Sequence, residues 1–124
     1  MERTKPVILV VDDDVPIQIL MQNLLREFGF QPEIAGSGDK ALDAIRGGLR
    51  PDLVLLDMNM PGLSGVDAIR ALRAELAEVP IVILSGESVS PRELQALGAT
   101  GAVQKPFDVA ELVAQIRGYV AGVR

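Results

Sequence analysis

Asp12, Asp13 and Asp14 stand directly behind a continuous apolar run from Val7 to Val11, and Asp57 ends a second such run, Leu53-Val54-Leu55-Leu56. Ser85 ends a third, Ile81-Val82-Ile83-Leu84, and Lys105 follows a weaker stretch from Thr100 to Gln104 and precedes Pro106. Taken singly, each has an ordinary explanation: an aspartate or serine after a strand is a turn residue or a helix cap, and a lysine is a solvated charge. Brought together, they would do chemistry. Asp12, Asp13 and Asp57 side by side repel one another unless a positive charge lies between them. A hard divalent cation with oxygen ligands, Mg²⁺, fills that need and keeps several waters. Lys105, one of three lysines in the chain, adds a second positive charge. No Gly-rich turn follows the first run, as a nucleotide cradle would require. The set suits Mg²⁺ and one small anionic group. Asp57 is placed to act as a nucleophile that forms an aspartyl phosphate, with the phosphoryl oxygens held by Mg²⁺, Lys105 and the Ser85 hydroxyl.

These residues meet only if the elements bearing them are parallel neighbours. Val7 to Val11 is β-branched and suits a strand buried on both faces. Pro16 opens a helix whose apolar stripe is Ile17, Leu20, Met21, Leu24, Leu25 and Phe28, and Gly29 stops it. A shorter strand runs from Phe30 to Ala35. Ser37 caps a helix through Ala41, Leu42 and Ile45 that closes at Gly47-Gly48. After the strand ending at Asp57, Met58 to Gly65 is a loop marked by Pro61-Gly62. A helix then carries Val66, Ile69, Leu72 and Leu76. Behind Ser85-Gly86, Ser90-Pro91 begins a short helix that ends near Gly98. Asp108 caps the last helix, with Val109, Leu112, Val113, Ile116 and Val120 on one side.

Strand and helix alternate five times with no linker or repeat. Short right-handed crossovers make this one α/β domain over residues 1–124, a doubly wound parallel sheet with helices on both faces. The most apolar strands, the first, third and fourth, belong in the centre, which gives the flavodoxin-like order 2-1-3-4-5. In such sheets ligands bind beyond the carboxyl ends of the strands, where Asp12-Asp13, Asp57, Ser85 and Lys105 all stand.

Composition narrows the choice. At 48% hydrophobic, 124 residues can bury a core. Aromatics are 3%, so no base-stacking platform is available. The net charge of −5 and the lack of a basic run argue against direct binding of nucleic acid or anionic membrane. The absence of Cys and His removes disulfides, thiolate sites, most zinc sites and every His-dependent triad. No apolar run approaches a membrane span and no signal core is present, so a cytoplasmic location is expected.

The segments Val10-Val11-Asp12-Asp13-Asp14, Pro51 through Gly65, Ser85 and Lys105-Pro106-Phe107 resemble those of the receiver domain of bacterial two-component response regulators, the CheY-like family. The resemblance covers nearly the whole chain, and the stretch around Asp57 is its most specific part. It implies that Asp57 accepts a phosphoryl group from the phosphohistidine of a histidine kinase or phosphotransfer protein. It also implies that Asp13 and Asp57 ligate Mg²⁺ directly, that Asp12 helps partly through water, and that Asn59 offers its backbone carbonyl. Ser85 is then the switch hydroxyl, and Lys105 pairs with the phosphoryl group ahead of a cis bond to Pro106. The implied role is a signalling switch with self-phosphotransfer and slow autodephosphorylation, not an enzyme. It acts through a downstream protein, as a monomer or a weak phosphorylation-dependent dimer, with no output domain in this chain.

Two features depart from the family. Receivers usually carry Phe or Tyr three residues before the lysine, where this chain has Ala102, and the stretch from Ser85 to Lys105 is about two residues short. Both fall on the surface of the fourth helix, fifth strand and fifth helix. Phe107 or another apolar side chain is the candidate to fill the missing ring's space. Two other readings compete. A phosphate-inert scaffold would not need the complete acidic set. An aspartate-nucleophile phosphatase would carry a cap domain and a second Asp where Asn59 stands.

Overall fold

The computed structural model describes residues 5–59 and 65–121. The expected turn at Pro61-Gly62 and the neighbouring part of the Asp57 motif lie outside them. Along the chain run β1 (Val7–Val11), α1 (Val15–Glu27), β2 (Gln31–Ala35), α2 (Gly38–Arg46), β3 (Leu53–Asp57), α3 (Gly65–Glu75), β4 (Ile81–Ser85), α4 (Pro91–Leu97), β5 (Gly101–Gln104) and α5 (Val109–Val120). The strands pair in parallel in the order β2-β1-β3-β4-β5, as the apolar grading of the strands predicts.

Alternation along each central strand divides the core in two. Ile8, Val10, Leu53, Leu55, Val82 and Leu84 point to one face, where Met21 and Leu25 of α1 and Leu112, Val113 and Ile116 of α5 cover them. Leu9, Val11, Val54, Leu56, Ile81 and Ile83 point to the other, under Ala41, Leu42 and Ile45 of α2 and Ala68, Ile69 and Leu72 of α3. Each fully buried Leu or Ile contributes about 1.5–3 kcal/mol relative to exposure, so the central strands are the least movable part of the molecule.

The helix starts follow the expected caps. Ser37 Oγ accepts from Lys40 N at 3.1 Å and Asp108 Oδ1 from Ala110 N at 3.0 Å. Ser90 and Glu93 form a reciprocal capping box. Gly98 closes α4 with φ +85°, a conformation that strains residues bearing a Cβ.

Three residues assigned to apolar stripes face solvent instead: Leu20 is 50% exposed, Val66 37% and Val109 39%. Periodicity gives the direction of a helix's apolar face but not the width its neighbours cover. Leu20 and Val109 both line a cavity with Asp57 and Lys105 at the carboxyl end of the sheet. No helix among the described residues is long and apolar enough to cross a membrane.

Candidate functional site

Parallel pairing delivers the predicted residues to one edge. Asp12 follows β1, Asp57 ends β3, Ser85 ends β4 and Lys105 follows β5. Asp57 lies opposite Leu84, and Ser85 opposite Gln104. Carboxylate oxygens of Asp12, Asp13 and Asp57 all come within 4.8 Å of one another. Asp12 and Asp57 are the buried charged residues among the described residues, whereas Asp13 is exposed.

The Lys105 ammonium donates to Asp57 Oδ1 at 2.7 Å, and the Asn59 backbone N–H reaches the same oxygen at 3.0 Å. These two donors fix the Asp57 carboxylate at the strand end. Lys105 is itself positioned by its backbone, which donates to the Ser85 carbonyl at 2.7 Å. The bond from Lys105 to Pro106 is cis, as the resemblance implies. Ser85 Oγ accepts from Glu87 N at 3.1 Å, which holds the hydroxyl in the turn leading to α4.

Asp12 carries the clearest electrostatic signature. Burial raises its carboxyl above the usual range, and the charges of Asp57 and Asp13 push the same way. The hydrogen bond from Asp14 N at 2.9 Å and the charge of Lys105 oppose the rise. Three converging carboxylates and one lysine leave the pocket short of positive charge. All-oxygen donors of this kind fit Mg²⁺.

Beside the carboxylates is a cavity of about 370 Å³, walled by Ile17 and Leu20 of α1 and by Pro106, Phe107 and Val109. Sequence reasoning placed Leu20 and Val109 in the core. Their common position by the acidic edge is visible only once α1 and α5 are seen as neighbours. Gln18, which no sequence motif marks, donates from its Nε2 to the Asp12 carbonyl at 2.7 Å.

Of the apolar side chains that could fill the space of the absent ring, Phe107 is not the one. Phe107 packs with the α1–α5 core, whereas Ala102 packs with Val89, Leu94 and Leu97 against the α2–α3 core. Alternate residues of β5 face opposite ways, and the chain turns back toward α1 after Lys105. Phe107 is therefore on the wrong side of the sheet.

Comparison with known proteins agrees with this geometry. The response regulator receiver domain model matches residues 8–117. The DNA-binding response regulator MtrA of Mycolicibacterium smegmatis is 44% identical over 119 residues, covering 94% of this chain and 51% of that protein. The transcriptional regulatory protein PrrA of Mycobacterium tuberculosis is 40% identical over 116 residues, covering 92% and 49%. The chain thus spans about half the length of these curated relatives. Among solved structures, Vibrio cholerae chemotaxis protein CheY4 superposes with a TM-score of 0.85 at 30% identity, covering 94% of this chain and 99% of that one. The receiver domain of the sensor histidine kinase PA1611 from Pseudomonas aeruginosa superposes with a TM-score of 0.84 at 26% identity, covering 96% and 100%. Its structure has a magnesium ion coordinated in the active site cleft. With the family model matched across nearly the whole sheet, and with strand order and acidic edge in agreement, this chain belongs to the response regulator receiver domain family of two-component systems.

Proposed function

We propose that residues 1–124 form a single receiver domain in which Asp57 is the phosphoacceptor, supplied by the phosphohistidine of a histidine kinase or phosphotransfer protein. The observation that carries this reading is the Asp57 carboxylate, buried at a strand end, bonded to Lys105 at 2.7 Å and within 4.8 Å of two further carboxylates. An Asp57 oxygen attacks phosphorus, the new P–O bond forms as the P–N bond breaks, and the P–N electron pair returns to the ring nitrogen, so that a phosphohistidine protonated on its other nitrogen departs as neutral imidazole. Reversal of the modification is attack by water, which returns the carboxylate and releases inorganic phosphate. Lys105, already against Asp57, pairs with a phosphoryl oxygen, and Ser85 offers its hydroxyl to another. Asp12, Asp13, Asp57 and the Asn59 carbonyl would hold Mg²⁺, which supplies positive charge against the phosphoryl oxygens.

The resulting switch acts in the cytoplasm through contacts with a downstream protein, as a monomer or a weak phosphorylation-dependent dimer, and has no turnover of external phosphoesters. DNA binding is named for the relative MtrA, of which this chain covers 51%. We assign no such contact to the acidic receiver itself. Incubation with acetyl phosphate and Mg²⁺ should add one phosphoryl group by intact mass, and Asp57→Asn should add none. Labelling that survives in Asp57→Asn or in EDTA would overturn the assignment.

A further inference from the structure

The turn bearing the acidic pair is held at three points. Asp12 N–H donates to the Ala35 carbonyl at 3.0 Å, and Asp14 N–H to Asp12 Oδ1 at 2.9 Å. The third is Gln18 Nε2, which donates to the Asp12 carbonyl at 2.7 Å. The first two bonds fix Asp12. The third has a different consequence, because the Asp12 carbonyl belongs to the planar peptide group that ends in the nitrogen of Asp13. Setting the direction of that carbonyl sets the plane from which Asp13 departs.

Asp13 needs such a device. Its side chain is exposed, and no hydrogen bond among the described residues holds its carboxylate. The carboxylate is nevertheless close to those of Asp12 and Asp57, where repulsion favours swinging it out to solvent. Gln18 is itself well supported. It is on the first turns of α1, with its backbone N–H bonded to the Asp14 carbonyl at 2.9 Å.

We infer that Gln18 is a positioning residue for the acidic site: by holding the Asp12–Asp13 peptide plane, it aims the Asp13 carboxylate at the place where a divalent cation binds. This rests on the reading of Asp12, Asp13 and Asp57 as metal ligands. Groups that orient metal ligands commonly govern affinity by roughly 10–100-fold. A residue that only satisfied a buried carbonyl would affect stability alone.

The test uses Gln18→Met, which keeps the side chain's length without its donor, and Gln18→Asn, whose shorter amide cannot reach. Mg²⁺ is titrated by calorimetry well below the melting temperature, and metal-free melts and amide spectra are recorded beside it. Both variants should stay folded but melt modestly below the parent without metal, as the loss of one hydrogen bond requires, show a displaced Asp13 amide resonance, and bind Mg²⁺ roughly 10-fold more weakly. Unchanged Mg²⁺ affinity in either folded variant would overturn the inference. Failure of both to fold would assign Gln18 to the fold and overturn it too. A parent domain that binds no Mg²⁺ would bring down the metal reading of the site first, and the role of Gln18 with it.

Discussion

Helices α4 and α5 flank the same edge strand, yet they are attached by different physics. α5 buries Leu112, Val113, Ile116 and Val120, whereas α4 buries no residue. Leu94 and Leu97 only rest, half-covered, on the α2–α3 core. α4 is secured at its ends. At its start, Ser90 and Glu93 bond each other's backbone at 3.1 and 2.8 Å, and hydrogen bonds from the Ser90 backbone N–H and then its side chain hold the Glu93 carboxyl below the usual range. At its finish, the Arg73 guanidinium donates to the Gly98 carbonyl at 3.1 and 3.0 Å. The same group also reaches the carbonyls of Leu76 at 2.9 Å and Val79 at 2.7 Å. An element fastened by polar ends can open locally without the core coming apart, while one fastened by apolar burial opens only with the domain.

The contrast is broken most forcefully in the core. Ile116→Ala should cost about 2–5 kcal/mol, as truncations of fully buried aliphatics do. Arg73→Met should cost about 1–3 kcal/mol, because it keeps the apolar stem and strands carbonyls that the guanidinium now satisfies. Leu94→Ala should cost only about 1 kcal/mol, since part of its area is already wet. Urea denaturation followed by circular dichroism would rank the three. Hydrogen exchange on Arg73→Met should accelerate in α4 and leave α5 protected. A Leu94→Ala loss as large as that of Ile116→Ala would erase the distinction.

What could be read in advance follows the same division. Strand ends are local: an apolar run stops at Asp57 or Ser85, and parallel topology then carries those residues to one edge, so the acidic set and Lys105 were legible. The supports were not. Gln18 and Arg73 bond main-chain carbonyls outside their own helices, and any residue supplies a carbonyl, so no side-chain type marks the acceptor. The exposure of Leu20, Val66 and Val109 was hidden for a related reason. How much of a helix is covered depends on its neighbours' placement rather than on its own period.

The acidic turn should respond to pH in the direction its electrostatics dictate. Asp12 has a raised folded-state pKa, caused first by burial. Protonated Asp12 therefore favours the fold. That contribution is complete below the ordinary carboxyl value of 3.8 and is lost as pH rises through the raised value. At neutral pH in EDTA, Asp12→Asn should melt a few degrees above the parent, since it retains an oxygen for the Asp14 N–H and sheds the charge. The gap should close on acidification. Mg²⁺ should raise the parent's melting temperature and have little effect on the variant. A variant that melts below the parent at neutral pH without metal would show that the ionised carboxylate stabilises the turn more than it strains it.

The smallest expected effect concerns what α4 and α5 sense of the acceptor. In receivers with an aromatic residue at the position of Ala102, the ring moves into space left by the switch hydroxyl and carries the change outward. Here Ala102 has one methyl group, and Phe107 lies in the other core layer. Ser85 can still be drawn toward a phosphoryl group, and its hydroxyl then leaves the Glu87 N–H it now accepts from. That bond belongs to the turn entering α4, whose attachment is polar. The change should therefore pass into Gly86 and the start of α4 and fade before α5. A ligand shifts a conformational equilibrium only by its differential interaction with the two states, and without the ring that difference reaches β5 through backbone alone. Beryllofluoride, which mimics the phosphoryl group, should move amide resonances strongly at Asp57, Ser85 and Gly86, measurably at Ser90 and Pro91's neighbours, and weakly at Ala102 and from Asp108 to Val120. Large shifts along α5 would show that the apolar helix follows the acceptor as closely as the polar one, and the distinction between them would lose its functional meaning.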